Sequence, residues 1–286
     1  MKLYFAGAES LRFQEVLKSV GVKKCLVSYY HVRKDANLYE HYKGMEEIFL
    51  DSGAYSAYHQ GVEIDLQEYI TFIKNQNLTI YANLDVIGSW QKTLENQTTM
   101  ERAGLHPLPV WHMKDPFDAL KQLCKDYQYV GLSVSQSESN AVRAHTSSVV
   151  FETFPDTKFH MFALTQPKLL IEHPFYSTDS TTWLNSSKYG ALITPWGYLH
   201  IEKDQNTSHH FLKKSREQQI KWQAYLKMAG FDIKKLLEDS SDGYDEKLRC
   251  SAKFFLCLED AINSFPQPQK RKKMLDSFMR SRRKSK

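Results

Sequence analysis

The chain has 286 residues, 42% of them hydrophobic and 13% aromatic, which is enough apolar surface for one large core or two ordinary ones and too much for a disordered polymer. Its formal net charge of +5 is unevenly spread: the stretch from Lys270 to Lys286 carries nine basic residues against one acid, and the other 269 residues are mildly acidic at −3. Four cysteines, Cys25, Cys124, Cys250 and Cys257, stand without any Cys-x-x-Cys spacing, which argues against both a disulfide framework and an ordinary structural zinc site, and reduced, mostly buried thiols are expected.

The opening Met-Lys-Leu-Tyr-Phe-Ala-Gly lacks the long apolar core and cleavage site of a secretory leader, and no apolar run reaches the roughly 18 residues of a membrane span. A cytoplasmic protein without membrane partners is the expectation. Strand-like runs then follow at Leu3 to Gly7, Lys24 to Tyr30, Glu47 to Asp51, Leu78 to Asp85, Leu108 to His112, Tyr129 to Val134, Lys158 to Leu164 and Phe175 to Asp179. Amphipathic segments separate them. Asp65 to Asn75 presents Leu66, Tyr69, Ile70 and Ile73 on one face, and Asp115 to Tyr127 presents Phe117, Leu120, Leu123 and Cys124. The second is expected to open with Asp115 as N-cap and Pro116 at the first helical position.

This alternation predicts an α/β chain folded as a (β/α)8 TIM barrel over residues 1–205, although the same alternation also builds an open doubly wound sheet. Ser215 to Phe265 reads as helical, with Ile220, Trp222, Tyr225, Leu226, Phe254, Phe255, Leu258 and Ile262 as core positions. Residues 206–265 are expected to complete or cover the barrel, and 266–286 form a basic tail. Lysine and arginine displace condensed counterions from phosphates, so the tail (Lys270, Arg271, Lys272 and Lys273 at its start) and the cluster of Lys213, Lys214, Arg216 and Lys221 are candidate nucleic-acid contacts. A solvated tail that aids solubility is the plainer reading. His209-His210 hints at a metal, but surface polarity explains the pair better.

Active sites of such barrels lie at the C-terminal ends of the strands. The third predicted strand ends at Asp51, the fourth at Asp85, the fifth at His112, the sixth in Gly131-Leu132-Ser133, the seventh near Met161 and the eighth at Asp179. A single strand-terminal aspartate is as often a helix cap or turn residue as a functional group. Three on one rim weaken that reading, and paired carboxylates can make and break a glycosidic bond. His112 alone would more often be a satisfied, partly buried histidine, while Tyr55 and Trp183 are equally compatible with ordinary packing.

The order of motifs along roughly residues 1–200 resembles the tRNA-guanine transglycosylase superfamily. Asp51-Ser52-Gly53-Ala54-Tyr55 is similar to its Asp-Ser-Gly-Gly-Phe signature, and Ile80-Tyr81-Ala82-Asn83-Leu84-Asp85 resembles the strand that ends in its base-recognising aspartate. Val110-Trp111-His112 stands where the family has a base-contacting glutamine, and Tyr129-Val130-Gly131-Leu132-Ser133-Val134 resembles its Gly-Gly-Leu-Ala-Val strand. Phe159 to Thr165 followed by Pro167 resembles its Leu-Met-Gly-Val-Gly-Thr-Pro segment, and Ser177-Thr178-Asp179-Ser180 occupies the place of its nucleophile. The family's zinc cluster after the barrel is missing, since Cys250 and Cys257 lie seven apart, and Ser56 replaces a glutamine. These departures look more like the phage and bacterial DpdA-type enzymes, which exchange guanine in DNA for a 7-deazaguanine such as preQ0.

The resemblance implies Asp179 as nucleophile and Asp51 as general acid and base. It implies Asp85, His112, Ser52 and the backbone of Gly131 and Leu132 as contacts to the edge of the base, with Tyr55 and Met161 sandwiching its ring. No metal or redox cofactor is required, and the implied partners are DNA, or alternatively tRNA, and a free 7-deazaguanine base. In a phage-encoded protein the compartment would be the host cytoplasm. Rival readings are a tRNA-directed transglycosylase, a glycoside hydrolase or phosphorylase on the same fold, and a non-catalytic nucleic-acid-binding barrel.

Overall fold

A computed structural model describes the chain except residues 36, 135–137, 165, 195–196, 202–209, 266, 269 and 271–286 and the side chains of 186 and 187. Most of the basic tail, Arg271, Lys272 and Lys273 included, therefore lies outside the described residues, as do His209 and Thr165. Eight parallel strands make one sheet: β1 (Lys2–Ala6), β2 (Lys24–Ser28), β3 (Glu47–Asp51), β4 (Ile80–Tyr81), β5 (Val110–His112), β6 (Tyr129–Ser133), β7 (Lys158–Met161) and β8 (Ser177–Ser180). Their order is β4-β3-β2-β1-β8-β7-β6-β5. The two edge strands meet through a parallel bridge between Ala82 and Leu108, where the Leu108 N–H donates to Tyr81 O at 2.8 Å and the Asn83 N–H to Leu108 O at 2.9 Å. The sheet is thereby closed, as the alternation of strands and helices predicts for a (β/α)8 barrel.

All eight predicted strands are present, and Glu47–Asp51 has the predicted bounds. The fourth is much shorter than Leu78 to Asp85, because the strand proper ends at Tyr81, Ala82 and Asn83 make the closing bridge, and beyond them the chain is held by side chains of the helix Trp90–Arg102. Asn96 Nδ2 donates to Leu84 O at 2.8 Å, and Thr93 Oγ1 accepts the Val86 N–H at 2.9 Å. The helix Leu66–Asn75 is capped by Asp65, whose carboxylate accepts the Glu68 N–H at 2.8 Å. The helix Phe117–Asp126 begins later than expected: Pro116 holds the N-cap position, because the Asp115 carboxylate is turned back to the His112 N–H at 3.1 Å.

The chain divides into two compact units. The first comprises Met1–Glu9, residues 23–180 and the chain from Glu259 onward, and it contains all eight strands. The barrel interior is filled by Tyr4, Ala6, Leu26, Phe49, Ala82, Leu108 and Val110, while Cys25, Val27, Ile48, Leu50, Tyr69, Ile70 and Ile73 belong to a layer between strands and helices. Successive strand residues point to opposite faces, so this two-layer packing is the period of two written in β2 and β3. At the N-terminal end Glu47 Oε2 accepts from Lys2 Nζ at 2.7 Å and from Tyr4 Oη at 3.0 Å.

The second unit, Ser10–Val22 with Thr181–Leu258, unites the helix after β1 with the chain that follows β8. Its core gathers Leu192, Leu199, Ile201, Phe211, Trp222, Leu226, Phe231, Leu236 and Cys250, and Trp183 packs edge-on to Phe13. The expected helical run is three helices, Arg216–Met228, Ile233–Leu237 and Ser241–Ser264. Of its expected core positions Ile220 is instead 57% exposed, and of the cysteines Cys257 is exposed. Lys213 and Arg216 are exposed, and so is Lys270 in the first unit. His210 is not a surface group: it is buried and its Nδ1 accepts the Leu212 N–H at 3.2 Å. No helix among the described residues is long and apolar enough to cross a membrane.

Candidate active site

The C-terminal rim of the barrel carries Asp51, Asp85, His112 and Asp179 as one electrostatic cluster. Asp51 ends β3, where the chain turns sharply into the helix Ala54–His59 through Gly53 at φ +76°. A Cβ on Gly53 would come within 2.5 Å of Ser28 Oγ and of Tyr30 Cβ, so both the left-handed backbone and the crowding demand glycine here. That turn brings the Gly53 N–H to 3.0 Å from Asp51 Oδ2. Burial, then the charges of Asp85 and Asp179, push the Asp51 carboxyl up from 3.8 to about 7 despite hydrogen bonds from the Gly53 and Ser52 backbone.

Asp85 is fixed from two sides: Ser52 Oγ donates to its Oδ1 at 2.8 Å, and His112 Nε2 lies 2.9 Å from its Oδ2. His112 Nδ1 is 3.4 Å from Asp115 Oδ2, too long for a firm hydrogen bond but close enough for charge attraction. Burial disfavours charge on His112, yet the hydrogen bond and charge of Asp85, helped by Asp115, outweigh it and raise its pKa above 6.5. Asp85 thus has a histidine bound to it rather than beside it, and each of its oxygens keeps a further lone pair for a ligand.

Asp179 stands in a strand, Ser177–Ser180, that is polar throughout and buried throughout. Buried polar groups must be hydrogen-bonded, and these are: Thr178 Oγ1 donates to the carbonyls of Leu164 at 2.6 Å and Met161 at 2.9 Å. Asp179 Oδ1 accepts the Ala163 N–H at 3.0 Å and lies 3.2 Å from His160 Nε2. Ala163 has φ +54°, a left-handed conformation that costs a non-glycine residue about 1 kcal/mol and here aims an N–H at the carboxylate. The other oxygen, Oδ2, has no hydrogen bond among the described residues.

His160 was not foreseen as a site residue. It is fully buried beneath Asp179, boxed by Phe162 at 4.4 Å, Phe49 at 4.7 Å and Tyr4 at 6.2 Å between ring centroids. Its Nδ1 is 2.7 Å from Ser177 Oγ, which is 2.6 Å from Tyr129 Oη. Strand alternation was the signal that could have found it, since His160 shares the interior face of the barrel with Tyr4 and Phe49. The same alternation puts Met161 with Phe159, which packs on Phe151 of the helix Asn140–Thr153. Phe162, half-buried against the interior cluster, is the aromatic on the inner side.

The remaining expected contacts fall in several places. The Gly131 N–H donates to Pro109 O at 2.8 Å and the Leu132 carbonyl accepts from the Phe162 N–H at 3.0 Å, so both are engaged in the sheet. A Cβ on Gly131 would meet Phe162 Cε2 at 2.7 Å, so this glycine makes room for a ring. Tyr55 is 52% exposed on the helix Ala54–His59 and packs edge-on to His59 at 4.3 Å. Ser28 Oγ, opposite Asp51 in the β2–β3 register, is buried without a hydrogen-bond partner. Among the described residues no group of three or more His, Cys, Asp or Glu side chains is spaced to hold a metal ion.

No protein-family model matches the chain, and no curated protein matches it in sequence. Fold and site together define a (β/α)8-barrel protein whose strand ends hold three aspartates with different hydrogen-bond partners.

Proposed function

We propose that the chain is a guanine transglycosylase that exchanges a guanine of DNA for a 7-deazaguanine base through a covalent glycosyl-aspartate. The observation that carries this reading is the contrast between Asp179 and Asp51. Asp179 has one oxygen tied down by Ala163 and His160 and the other unbonded, the arrangement a nucleophile needs. Asp51, with its pKa raised to about 7, exchanges a proton readily at neutral pH.

In this mechanism Asp179 Oδ2 attacks the sugar C1′, the glycosidic bond breaks, and its electron pair leaves on the guanine nitrogen, which takes the proton of Asp51. The incoming deazaguanine returns a proton to Asp51, attacks C1′ from the same side and releases Asp179, so two inversions give net retention. Asp85, oriented by Ser52 and His112, accepts hydrogen bonds from the amino-pyrimidinone edge. Phe162 takes over from Met161 as the inner stacking residue, facing Tyr55. A stacked target base has to be extruded first, at a cost of a few kcal/mol. The exposed Lys213, Arg216 and Lys270 supply phosphate contacts whose strength falls with salt.

Labelled guanine and preQ0 are offered with duplex DNA and, in parallel, with tRNA. Incorporation into DNA that disappears in Asp179→Asn, with DNA binding retained, supports the reading. Incorporation only into tRNA moves the substrate assignment, and full exchange by Asp179→Asn refutes the mechanism.

A further inference from the structure

The chain of side chains beneath Asp179 has a direction. Tyr129 Oη and Ser177 Oγ are 2.6 Å apart, Ser177 Oγ and His160 Nδ1 2.7 Å, and His160 Nε2 and Asp179 Oδ1 3.2 Å. A carboxylate only accepts, so the His160 nitrogen facing it carries the hydrogen. If Nδ1 were protonated as well, it would donate to Ser177, and the Ser177 hydroxyl would either donate to the Tyr129 oxygen or accept from both neighbours. The first case leaves the half-buried Tyr129 phenol, and the second the fully buried Ser177 hydroxyl, without an acceptor among the described residues, and an unsatisfied buried donor costs about 1–3 kcal/mol. The opposite polarity satisfies every group: Tyr129 O–H to Ser177, Ser177 O–H to His160 Nδ1, and His160 Nε2–H to Asp179. Burial pushes the Tyr129 phenol well above its ordinary range, which keeps it a donor.

We infer that His160 is a positioning residue, held as the Nε2-protonated imidazole by the Tyr129–Ser177 relay, which ties Asp179 Oδ1 and leaves Oδ2 as its single reactive oxygen. The box formed by Phe49, Phe162 and Tyr4 fixes the plane of the ring, and the Ala163 N–H holds the same carboxylate oxygen from the backbone. A carboxylate tied at one oxygen cannot swing, so the attack geometry is set before substrate arrives. Second hydrogen bonds of this kind orient functional groups elsewhere, and their loss costs about 10- to 100-fold. The kinetic consequence rests on the transglycosylase reading, whereas the relay itself does not.

The test has two arms on the full chain. Nitrogen-15 NMR of the histidine-labelled protein is expected to give His160 a pyridine-type Nδ1 and a pyrrole-type Nε2 whose proton moves upfield in Asp179→Asn, because an amide oxygen is a weaker acceptor. A protonated Nδ1 in the folded wild type at neutral pH overturns the relay. In base exchange, His160→Leu is expected to lose about 100-fold and His160→Gln, whose Nε2 reaches the same place, to stay within about 10-fold of wild type, with folding checked by circular dichroism. Equal rates for Leu and Gln in folded variants overturn the positioning role. If wild type itself exchanges no base, the proposed function fails and the NMR arm alone decides the relay.

Discussion

Asp51→Asn isolates the electrostatics of the cluster, because it removes one ionisable group and keeps an oxygen to accept the Gly53 N–H. In the folded chain burial and the neighbouring Asp85 and Asp179 hold the Asp51 carboxyl at about 7 against an ordinary 3.8. The folded state therefore binds the proton more tightly than the unfolded one. The stability this contributes is complete below about pH 4, is lost as the pH rises towards 7, and changes little beyond it. At 1.36 kcal/mol per pH unit the whole loss is at most about 4 kcal/mol, of which roughly 2.5 falls between pH 5 and pH 8.

Urea unfolding of wild type and Asp51→Asn at those two pH values is the assay. Asparagine is expected to gain on wild type by about 2.5 kcal/mol from pH 5 to pH 8, a midpoint separation a little under 1 M for a slope of about 3 kcal/mol per molar urea. Other titrating groups largely cancel in the difference between the two proteins. Carbon-13 NMR of labelled aspartate carboxyls reads the same quantity directly. A stability difference that does not change with pH, with every aspartate titrating near its ordinary value, would refute the clustering of Asp51 with Asp85 and Asp179.

The pair His112 and Asp115 gives a pH trend of the same sign from a basic group. His112 is raised in the fold, so its contribution is complete below about pH 6.5 and is lost as the pH climbs through its folded value; Asp115→Asn should lower its NMR titration midpoint and destabilise the fold more at pH 5.5 than at pH 8.5. An unmoved midpoint would mean that Asp115 acts only through the backbone N–H of His112. Gly131→Ala should destabilise by about 1–3 kcal/mol, since the new methyl meets Phe162 at 2.7 Å, and most of that loss should vanish in a Phe162→Leu background. A double-mutant cycle with no coupling would show that the ring relaxes freely.

Much of this fold was legible in the sequence because its strands obey a simple rule. In β2 and β3 the residues Cys25, Val27, Ile48 and Leu50 alternate with Leu26 and Phe49, and the two sets fill two layers. The aspartates at the strand ends were legible for the same reason, as polar residues closing apolar runs. What the pattern hid was the identity of the inward face at β7. Phe159-His160-Met161-Phe162 is apolar around one histidine, and a likeness to a methionine-bearing segment drew attention to the wrong face. Burial of His160 becomes understandable only with Ser177 and Asp179 opposite it, a pairing between strands that local sequence does not encode. Asp115 was misread as a cap for a similar reason, since its competing partner, His112, precedes the helix in a strand end.

Three carboxylates on one rim repel one another, and a fold that needed them only as turn residues would separate them or let solvent screen them. Here each is handled differently. Asp85 is matched by His112, whose own pKa rises in response. Asp179 is stabilised by one ring N–H and one strained backbone N–H, both spent on the same oxygen. Asp51 receives backbone hydrogen bonds that do not offset its burial and its neighbours, so the mutual repulsion collects there as affinity for a proton. The proton that comes and goes near neutrality resides on the group at the end of β3. On the transglycosylase reading, one anchored carboxylate, one oriented carboxylate and one mobile proton suit two successive displacements at a carbon that carries a single leaving group in each step. The strain at Ala163 and the steric demand at Gly53 are costs that turn chemistry alone does not explain.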